Sequence, residues 1–297
     1  MKKFLICGDL IEITKNINLL YSYHIQKKIN IVGINANEEY YENMFNINYY
    51  TYSEIVNIEY DYIILVCNKK YYNEYKDYLL NINNNAKIIN YKVFSIPNFD
   101  IDKYLDLYND TPTVFTKNCA AGVIYNTLGL EFKSPIINLW LSDEDFLKFL
   151  KKPKKYLSYK IKENGFSLNI DNVEVPVCLV GDINLNCSHY KTHAEAIEAW
   201  NRRKKRVNFD NMIVLFQTNN ESLFEEFLKL PYKNKICLTQ LSHSDPQIVT
   251  IDYHSEYSVE WLLLILDTFK YKIPYINVIN LLHDKKIDLI SKMNIKE

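Results

Sequence analysis

Short apolar runs alternate with longer mixed segments through the first hundred residues of the chain. Residues 60–67 are almost continuously apolar, which is typical of a strand buried on both faces of a sheet. The pattern predicts strands at residues 3–7, 29–35, 60–67 and 86–93, and helices at residues 10–28 and 70–80. Strands that alternate with helices indicate a parallel sheet. We therefore expect a degenerate Rossmann-like α/β domain over residues 1–100.

A new series of strands and helices begins after a polar segment near residues 95–112, which contains a proline. Gly181 and Asp182 separate two strand-like runs, which indicates a hairpin or a tight strand connection. The predicted strands are residues 113–116, 136–139, 173–180, 183–187, 211–217, 235–239 and 247–251. The predicted helices are residues 119–128, 192–206, 221–229, 256–268 and 276–290, and a further helix is predicted to begin at Ser142. These elements predict a larger α/β domain with a mixed sheet over residues 101–297.

Composition narrows the class of protein. Hydrophobic residues make up 48% of the 297 residues and charged residues 24%, which suits a chain that folds around a core. The formal net charge of −1 argues against a protein whose whole surface binds nucleic acid or a membrane. No apolar run approaches the roughly 20 residues that span a bilayer, and the apolar stretch near Met1 is too short for a signal peptide. We expect a cytoplasmic protein without a transmembrane segment.

The cysteines and the first glycine do not fit a cofactor motif. The chain has no Cys-x-x-Cys pair, and no pair among His193, His243, His254 and His283 has metal-ligand spacing, so we expect neither a metal site nor a disulfide framework. Gly8 follows a predicted strand, as the first glycine of a dinucleotide-binding loop does, but no second or third glycine follows. Asn35 stands where a ribose-binding acid is needed. The N-terminal domain is therefore predicted to be a scaffold or docking module without a cofactor.

All three arginines lie between Arg202 and Arg206, near the end of a predicted helix. The planar guanidinium group holds carboxylates and phosphates at two points, and lysine supplies positive charge elsewhere in the chain. Arg202 and Arg206 are one helical turn apart, so we expect them to grip one anion. Arg203 points away and is expected to pair with a carboxylate such as Asp182 or Asp210. The alternatives are a solvated basic helix end and a small nucleic-acid patch.

Cys119 falls at a predicted helix N-terminus directly after a strand, with Asn118 as the expected N-cap. Unpaired backbone donors at such a terminus attract anions, and the helix dipole lowers the pKa of a thiol. We therefore interpret this turn as a site where Cys119 assists anion binding or acts as a nucleophile with a histidine base. The alternative is that Cys119 is a small residue chosen for packing beside Ala120 and Ala121.

His189 and Asp182 are the candidates for proton transfer. His189 ends a predicted strand beside the arginine-bearing helix, which is a suitable place for an acid, a base or a phosphate-binding imidazole. Asp182 is seven residues away in an extended segment, so the two side chains can meet only across a bend or a neighbouring strand. A hydrogen-bonded structural histidine is the alternative for His189.

The motifs of the second domain resemble one bacterial family, called domain of unknown function 1919, over roughly residues 112–220. The resemblance rests on Asn118-Cys119, Gly122, Leu128-Gly129-Leu130, Ser134-Pro135, Asn138, Gly181-Asp182, His189-Tyr190 and the segment from Trp200 to Asn208. Family members often carry an aromatic residue and a second glycine after the cysteine, where this chain has Ala120 and Ala121. Members are often labelled exopolysaccharide-biosynthesis proteins, so the resemblance implies a role in surface polysaccharide production. It implies no settled reaction.

Together these features predict a transferase-like enzyme that acts on a phosphorylated or nucleotide-linked sugar, without nucleic acid as a partner. The predicted catalytic residues are Cys119, His189 and Asp182. The predicted substrate-binding residues are Asn118, Asn138, Tyr190, Arg202, Arg203, Arg206 and Asn208. All of the catalytic and substrate-binding residues except Asn208 are expected around one crevice. A non-catalytic subunit that binds a glycan or a phosphosugar is the alternative from another class. The pattern does not predict an oligomeric state.

Overall fold

A computed structural model describes residues 1–36, 44–169, 172–251, 260–271 and 276–288. The chain forms two compact units, Met1–Ile101 and Asp102–Glu297. The starting residues predicted for helix 256–268 and the final residues predicted for helix 276–290 lie outside the described ranges. Within those ranges, no helix combines the length and the apolar composition that a bilayer crossing needs.

The first unit is a parallel sheet with helices, which confirms the predicted α/β class. Its strands and α-helices are β1 (Lys3–Gly8), α1 (Leu10–Ile25), β2 (Asn30–Ala36), β3 (Tyr62–Val66), α2 (Tyr72–Ile82) and β4 (Ile88–Asn90). The strand order is β2-β1-β3-β4, and all three pairings are parallel. The predicted strand 86–93 is shorter than expected because the Asn90 side chain accepts from the amide of Lys92 and starts a 3₁₀ helix, Tyr91–Ser95.

Gly8 packs two strands together at the end of β1. Its φ is +148°, and a Cβ atom at this position would lie 2.0 Å from the carbonyl oxygen of Val66 in β3. The amide of Asp9 donates to the same oxygen at 2.9 Å. A side chain at Gly8 would therefore separate the strands, which gives this glycine a packing role without any phosphate.

The second unit contains one parallel and one antiparallel sheet, so the predicted mixed α/β class is confirmed. The elements are α3 (Ile101–Asn109), β5 (Thr113–Thr116), α4 (Ala120–Leu128), α5 (Asp143–Lys151), α6 (Pro153–Ser158), β6 (Ile161–Leu168), β7 (Glu174–Val180), β8 (Ile183–Asn186), α7 (His193–Arg203), β9 (Met212–Gln217), α8 (Phe224–Leu228), β10 (Lys235–Thr239), β11 (Ile248–Thr250), α9 (Glu260–Leu266) and α10 (Val278–His283). The parallel sheet has the order β11-β10-β9-β5, and the antiparallel sheet has the order β6-β7-β8. The hairpin predicted at Gly181 joins β7 to β8.

The strand predicted at residues 136–139 is wrong. These residues form a turn, in which Asn138 has a φ of +62° that no extended strand accommodates. Ile136 and Ile137 are nonetheless fully buried, which explains the apolar pattern. Sequence patterning also missed β6, because its residues after Ile161 are mostly exposed on an edge strand and lack an apolar face.

A shared core fixes the carboxyl end of β5. Phe115 of β5 packs with Phe149 of α5, with ring centroids 5.2 Å apart. Trp200 of α7 and Phe216 of β9 belong to the same buried cluster. Because ligand sites of open parallel sheets lie beyond the carboxyl ends of the strands, the turn after β5 is an expected place for a ligand site in this unit.

Candidate functional site

Cys119 lies in the turn between β5 and α4. Its backbone is the N-cap of α4, with φ −72° and ψ −3°, so the helix begins one residue later than predicted and Asn118 is not the N-cap. The Asn118 side chain still caps the turn, because its Oδ1 accepts from the amide of Ala120 at 3.0 Å. The hydroxyl of Thr116 donates to the Asn118 carbonyl at 2.7 Å. Two side chains therefore hold the backbone on the N-terminal side of the cysteine.

His189 reaches this turn from the antiparallel sheet. It lies three residues beyond the end of β8, in a turn closed by the hydrogen bond from the Tyr190 amide to the Cys187 carbonyl. Its Nε2 lies 2.9 Å from Sγ of Cys119, although the two residues are 70 positions apart in the chain. Cys119 is partly exposed and His189 is exposed. The fold thus brings together a thiol and a base at a surface that a substrate can reach.

Burial raises the pKa of the Cys119 thiol to about 11. The shift is opposite in direction to the predicted lowering of this pKa, and its cause is the loss of hydration around the thiolate. Because pH 7 is about four units below this pKa, only about one molecule in 10⁴ carries Cys119 as a thiolate at pH 7. Any nucleophilic attack by Cys119 at neutral pH requires a neighbouring group to accept the proton, and His189 is in contact with the sulfur.

The Asn118 carboxamide is only half satisfied. The residue is 2% exposed, and no residue in the described part of the chain accepts a hydrogen bond from its Nδ2. The hydrogen bond from Ala120 identifies the other end of the carboxamide as the oxygen, since an amide nitrogen would not accept it. A buried donor without a partner costs about 1–3 kcal/mol. Such a donor directly before Cys119 marks the turn as a place that can receive an acceptor atom.

Asn138 approaches the first turn of α4 because Gly122 has no side chain. A Cβ atom on Gly122 would lie 2.8 Å from Oδ1 of Asn138 and 3.0 Å from Cγ2 of Ile137. Gly122 is three residues after Cys119, so Asn138 is near the helix terminus, as predicted. Asn118, Cys119, Asn138 and His189 are the predicted site residues that the structure brings to this turn.

Arg203 is a buried cation that holds the polypeptide behind His189. It is 6% exposed, and its Nη1 donates to the Tyr190 hydroxyl at 2.6 Å and to the Ile137 carbonyl at 3.1 Å. Its guanidinium carbon lies 5.1 Å from the ring centroid of Phe132. These partners are neutral, so the predicted pairing with Asp182 or Asp210 is wrong. Arg203 and Tyr190 instead connect the residue after His189 to the residue before Asn138.

The other two arginines pair with glutamates. Nη1 of Arg202 lies 2.9 Å from Glu198, one turn earlier on α7 and well exposed. Nε of Arg206 lies 3.1 Å from Glu131, and Arg206 is the last residue of a 3₁₀ turn, Lys204–Arg206, that follows α7. The structure therefore places Arg202 and Arg206 beside separate glutamates and does not bring them together around one anion.

Asp182 and Asn208 serve turns outside this cluster. Asp182 directly precedes β8, at the end of that strand opposite to His189. Its carboxylate accepts a hydrogen bond from the Tyr156 hydroxyl at 2.8 Å. This hydrogen bond lowers the pKa of the Asp182 carboxyl, so the predicted role of Asp182 in proton transfer does not fit the structure. The Asn208 side chain accepts from the amide of Asp210 and closes the turn before β9.

A buried ion pair beside the cysteine turn escaped the sequence analysis. Lys117 has a side chain that is 4% exposed, and its Nζ donates to the carboxylate of Asp143 at the start of α5. The second oxygen of Asp143 accepts from the Thr218 hydroxyl at 2.6 Å. The pair connects the ends of β5 and β9 to α5. Lysine is rarely buried, so residue type gave no signal for Lys117.

Comparison with known proteins assigns this chain to a family. The family described as "Domain of unknown function (DUF1919)" matches residues 90–283, which is more than half of the chain. The chain belongs to this family, which confirms the resemblance and extends it beyond residues 112–220. The match includes α4, β8 and α7, and therefore the whole turn around Cys119 and His189.

The chain is also similar to an uncharacterized protein of Haemophilus influenzae. The two are 31% identical over 137 residues, which is 45% of this chain and 64% of that relative. The chain thus matches less than two thirds of the relative's length. Neither comparison carries a reaction or a substrate.

Proposed function

We propose that this chain is a thiol-dependent transferase in which Cys119 is the nucleophile and His189 is the general base. The observation that carries the proposal is the 2.9 Å contact between Sγ and Nε2. A nucleophile in hydrogen-bond contact with a base is the arrangement that covalent catalysis needs. All six cysteines lie in described residues, and Cys119 is partly exposed while the other five are buried. Exposure and contact with a base thus coincide at one thiol.

The proposed first step is attack of Cys119 on the donor substrate. Nε2 of His189 accepts the thiol proton as Sγ bonds to the group being transferred. The bond between that group and the donor's leaving oxygen breaks with its electron pair on oxygen, and His189 returns the proton to that oxygen. An acceptor hydroxyl then displaces the thiolate while His189 takes its proton, and the thiol is restored. The thiol pKa of about 11 makes the base necessary in the first step.

A phosphorylated or nucleotide-linked sugar of surface polysaccharide assembly remains the substrate in this proposal. Its support is the resemblance to a family whose members are often labelled exopolysaccharide-biosynthesis proteins. Arg202 and Arg206 add no support, because each has a carboxylate partner. We keep residues 1–100 as a scaffold or docking domain and residues 101–297 as the domain that carries the site.

A non-catalytic glycan- or phosphosugar-binding subunit is the second candidate. The raised pKa of the Cys119 thiol favours it, because a largely neutral thiol also suits a packing role. The two candidates differ in whether Cys119 reacts.

Mapping of alkylated cysteines tests the proposal without knowledge of the substrate. The full chain is treated with iodoacetamide near pH 7, and the labelled peptides are identified by mass spectrometry, with Cys119→Ser as the control. We expect label at Cys119 well before any buried cysteine, and no early label in the control. Label that appears first at another cysteine, or at none before unfolding, would favour the binding subunit. A thermal-shift screen with sugar phosphates and nucleotide sugars then tests the substrate class.

A further inference from the structure

We propose that the group transferred by Cys119 is an acyl group, and that Asn118 Nδ2 is a catalytic donor that stabilises the oxyanion formed on its carbonyl. The inference rests on the proposed nucleophilic role of Cys119. The inference adds the class of reaction. It also assigns a catalytic role to Asn118, which the sequence predicted as a substrate-binding residue and N-cap.

The first observation is the unused donor. Asn118 is 2% exposed, its Nδ2 has no acceptor among the described residues, and its Oδ1 is fixed by the amide of Ala120 at 3.0 Å. The carboxamide is therefore held at the first turn of α4, with its buried NH₂ group unpaired among the described residues. We assign the carbonyl oxygen of a bound acyl donor as the acceptor that satisfies it.

The second observation is the start of α4. The first intrahelical bond runs from the amide of Val123 to the carbonyl of Cys119 at 3.1 Å. The amides of Ala121 and Gly122 precede that bond and are the free donors of the helix terminus. Asn118 and these two amides thus place neutral N–H groups around the nucleophile, which is the composition of an oxyanion hole.

The chemistry of these donors favours acyl over phosphoryl transfer. A transferred phosphoryl group spreads negative charge over three oxygens and is usually held by cations. Lys117 pairs with Asp143 and Arg206 pairs with Glu131, while the guanidinium of Arg203 is 6% exposed and already donates to Tyr190 and Ile137. A tetrahedral acyl intermediate puts its charge on a single oxygen, which a few neutral N–H groups stabilise. The expected donor is an ester or thioester, and the expected acceptor is a hydroxyl group of the phosphorylated or nucleotide-linked sugar.

The step is a balanced acyl transfer. Sγ of Cys119 bonds to the carbonyl carbon as His189 takes the thiol proton, and the C=O electron pair moves onto oxygen, facing Asn118 Nδ2. The carbonyl re-forms as the bond to the leaving oxygen or sulfur breaks, and His189 protonates the leaving group. The product is a thioester on Cys119. An acceptor hydroxyl reverses these steps and releases an ester.

Two reactions of the same sulfur separate an oxyanion donor from a positioning residue. Acetylation of Cys119 by p-nitrophenyl acetate passes through an oxyanion, whereas alkylation by iodoacetamide does not. Both rates are measured on the full chain and on Asn118→Ala, with exposed Asn126→Ala of α4 as the matched control. We expect Asn118→Ala to slow acetylation by about 10²–10³-fold while alkylation stays within about threefold. The control should change neither rate.

A second variant separates loss of the NH₂ donor from a local rearrangement of the turn. Asn118→Asp retains an acceptor for the Ala120 amide but lacks the NH₂ donor, so its ratio of acetylation to alkylation should also fall. A ratio of acetylation to alkylation that is unchanged in both variants would overturn the inference. Equal losses of the acetylation rate and the alkylation rate would also overturn it, because they would assign Asn118 a positioning role. A wild-type chain that alkylates at Cys119 but is never acetylated there would also overturn it, and would leave the thiol-dependent transferase standing. Absence of alkylation at Cys119 would instead remove the proposed function itself.

Discussion

At the scale of single residues, the contact between Cys119 and His189 combines a poor resting nucleophile with the group that can activate it. Burial raises the thiol pKa to about 11, and Nε2 of His189 is 2.9 Å from the sulfur. General-base assistance typically contributes about 10²–10⁴-fold to rate. Contact with a base therefore offsets much of the reactivity that burial removes. Helix position alone, which motivated the sequence hypothesis, would have given the wrong sign for the pKa shift.

The arginine type is required at Arg203 and not at Arg202. Lysine at position 203 cannot reproduce the planar group that donates to Tyr190 and Ile137 while lying over Phe132. We expect Arg203→Lys to lower the free energy of unfolding by about 1.5–3 kcal/mol, the value of a hydrogen bond that involves a charged group. The exposed pair of Arg202 contributes little, so Arg202→Lys should change it by less than about 0.5 kcal/mol. Urea unfolding of both variants measures the difference, and equal losses would contradict the assigned roles.

Residue type in the sequence located the cysteine turn and the histidine, but not their partners. Asp182 does not join the site because it precedes β8 whereas His189 follows that strand. Its partner is the Tyr156 hydroxyl instead. Arg202 and Arg206 do not share one anion, because Arg202 pairs with Glu198 and Arg206 pairs with Glu131. These choices depend on three-dimensional neighbours that residue spacing does not encode.

At the scale of elements, the parallel strands and their helices follow from the apolar pattern. β10 coincides with its prediction at Lys235–Thr239, because the middle of this buried strand is a continuous apolar run. The exposed edge strand β6 and the buried turn at residues 136–139 were assigned wrongly, because burial and extension do not coincide there. Apolar patterns report burial, and they identify a strand only where the backbone is also extended.

The ion pair between Lys117 and Asp143 should stabilise the arrangement of β5 and α5. Asp143→Asn leaves the Lys117 charge buried without a counter-charge, since that side chain is 4% exposed. We expect a loss of about 3–5 kcal/mol in the free energy of unfolding. Adding Lys117→Met should recover most of this loss, because the double variant contains neither charge.

A double-mutant cycle in urea measures this coupling, with Thr218→Val as the control for the hydrogen bond to Asp143. Additive losses from Lys117→Met and Asp143→Asn would show that the pair does not stabilise the turn through its charges.

At the scale of the whole molecule, the chain consists of two compact units, and the second contains the candidate site and most of the family match. Pattern and composition predicted this α/β organisation, since it depends on many residues that agree. The reaction depends on a few atoms brought together from positions 70 residues apart, which no local pattern contains. The functional hypothesis therefore depends mainly on one contact, and that contact can be tested directly.

The most direct test is the pH dependence of Cys119 alkylation in the wild-type chain and in His189→Gln. Without the base, the rate should follow the thiolate and rise about tenfold per pH unit up to the thiol pKa of about 11. With the base, the rate near pH 7 should exceed that of the variant by about 100-fold, and the two profiles should converge as the pH approaches about 11. Superimposable profiles across the whole range would contradict the assignment of His189 as the base of Cys119.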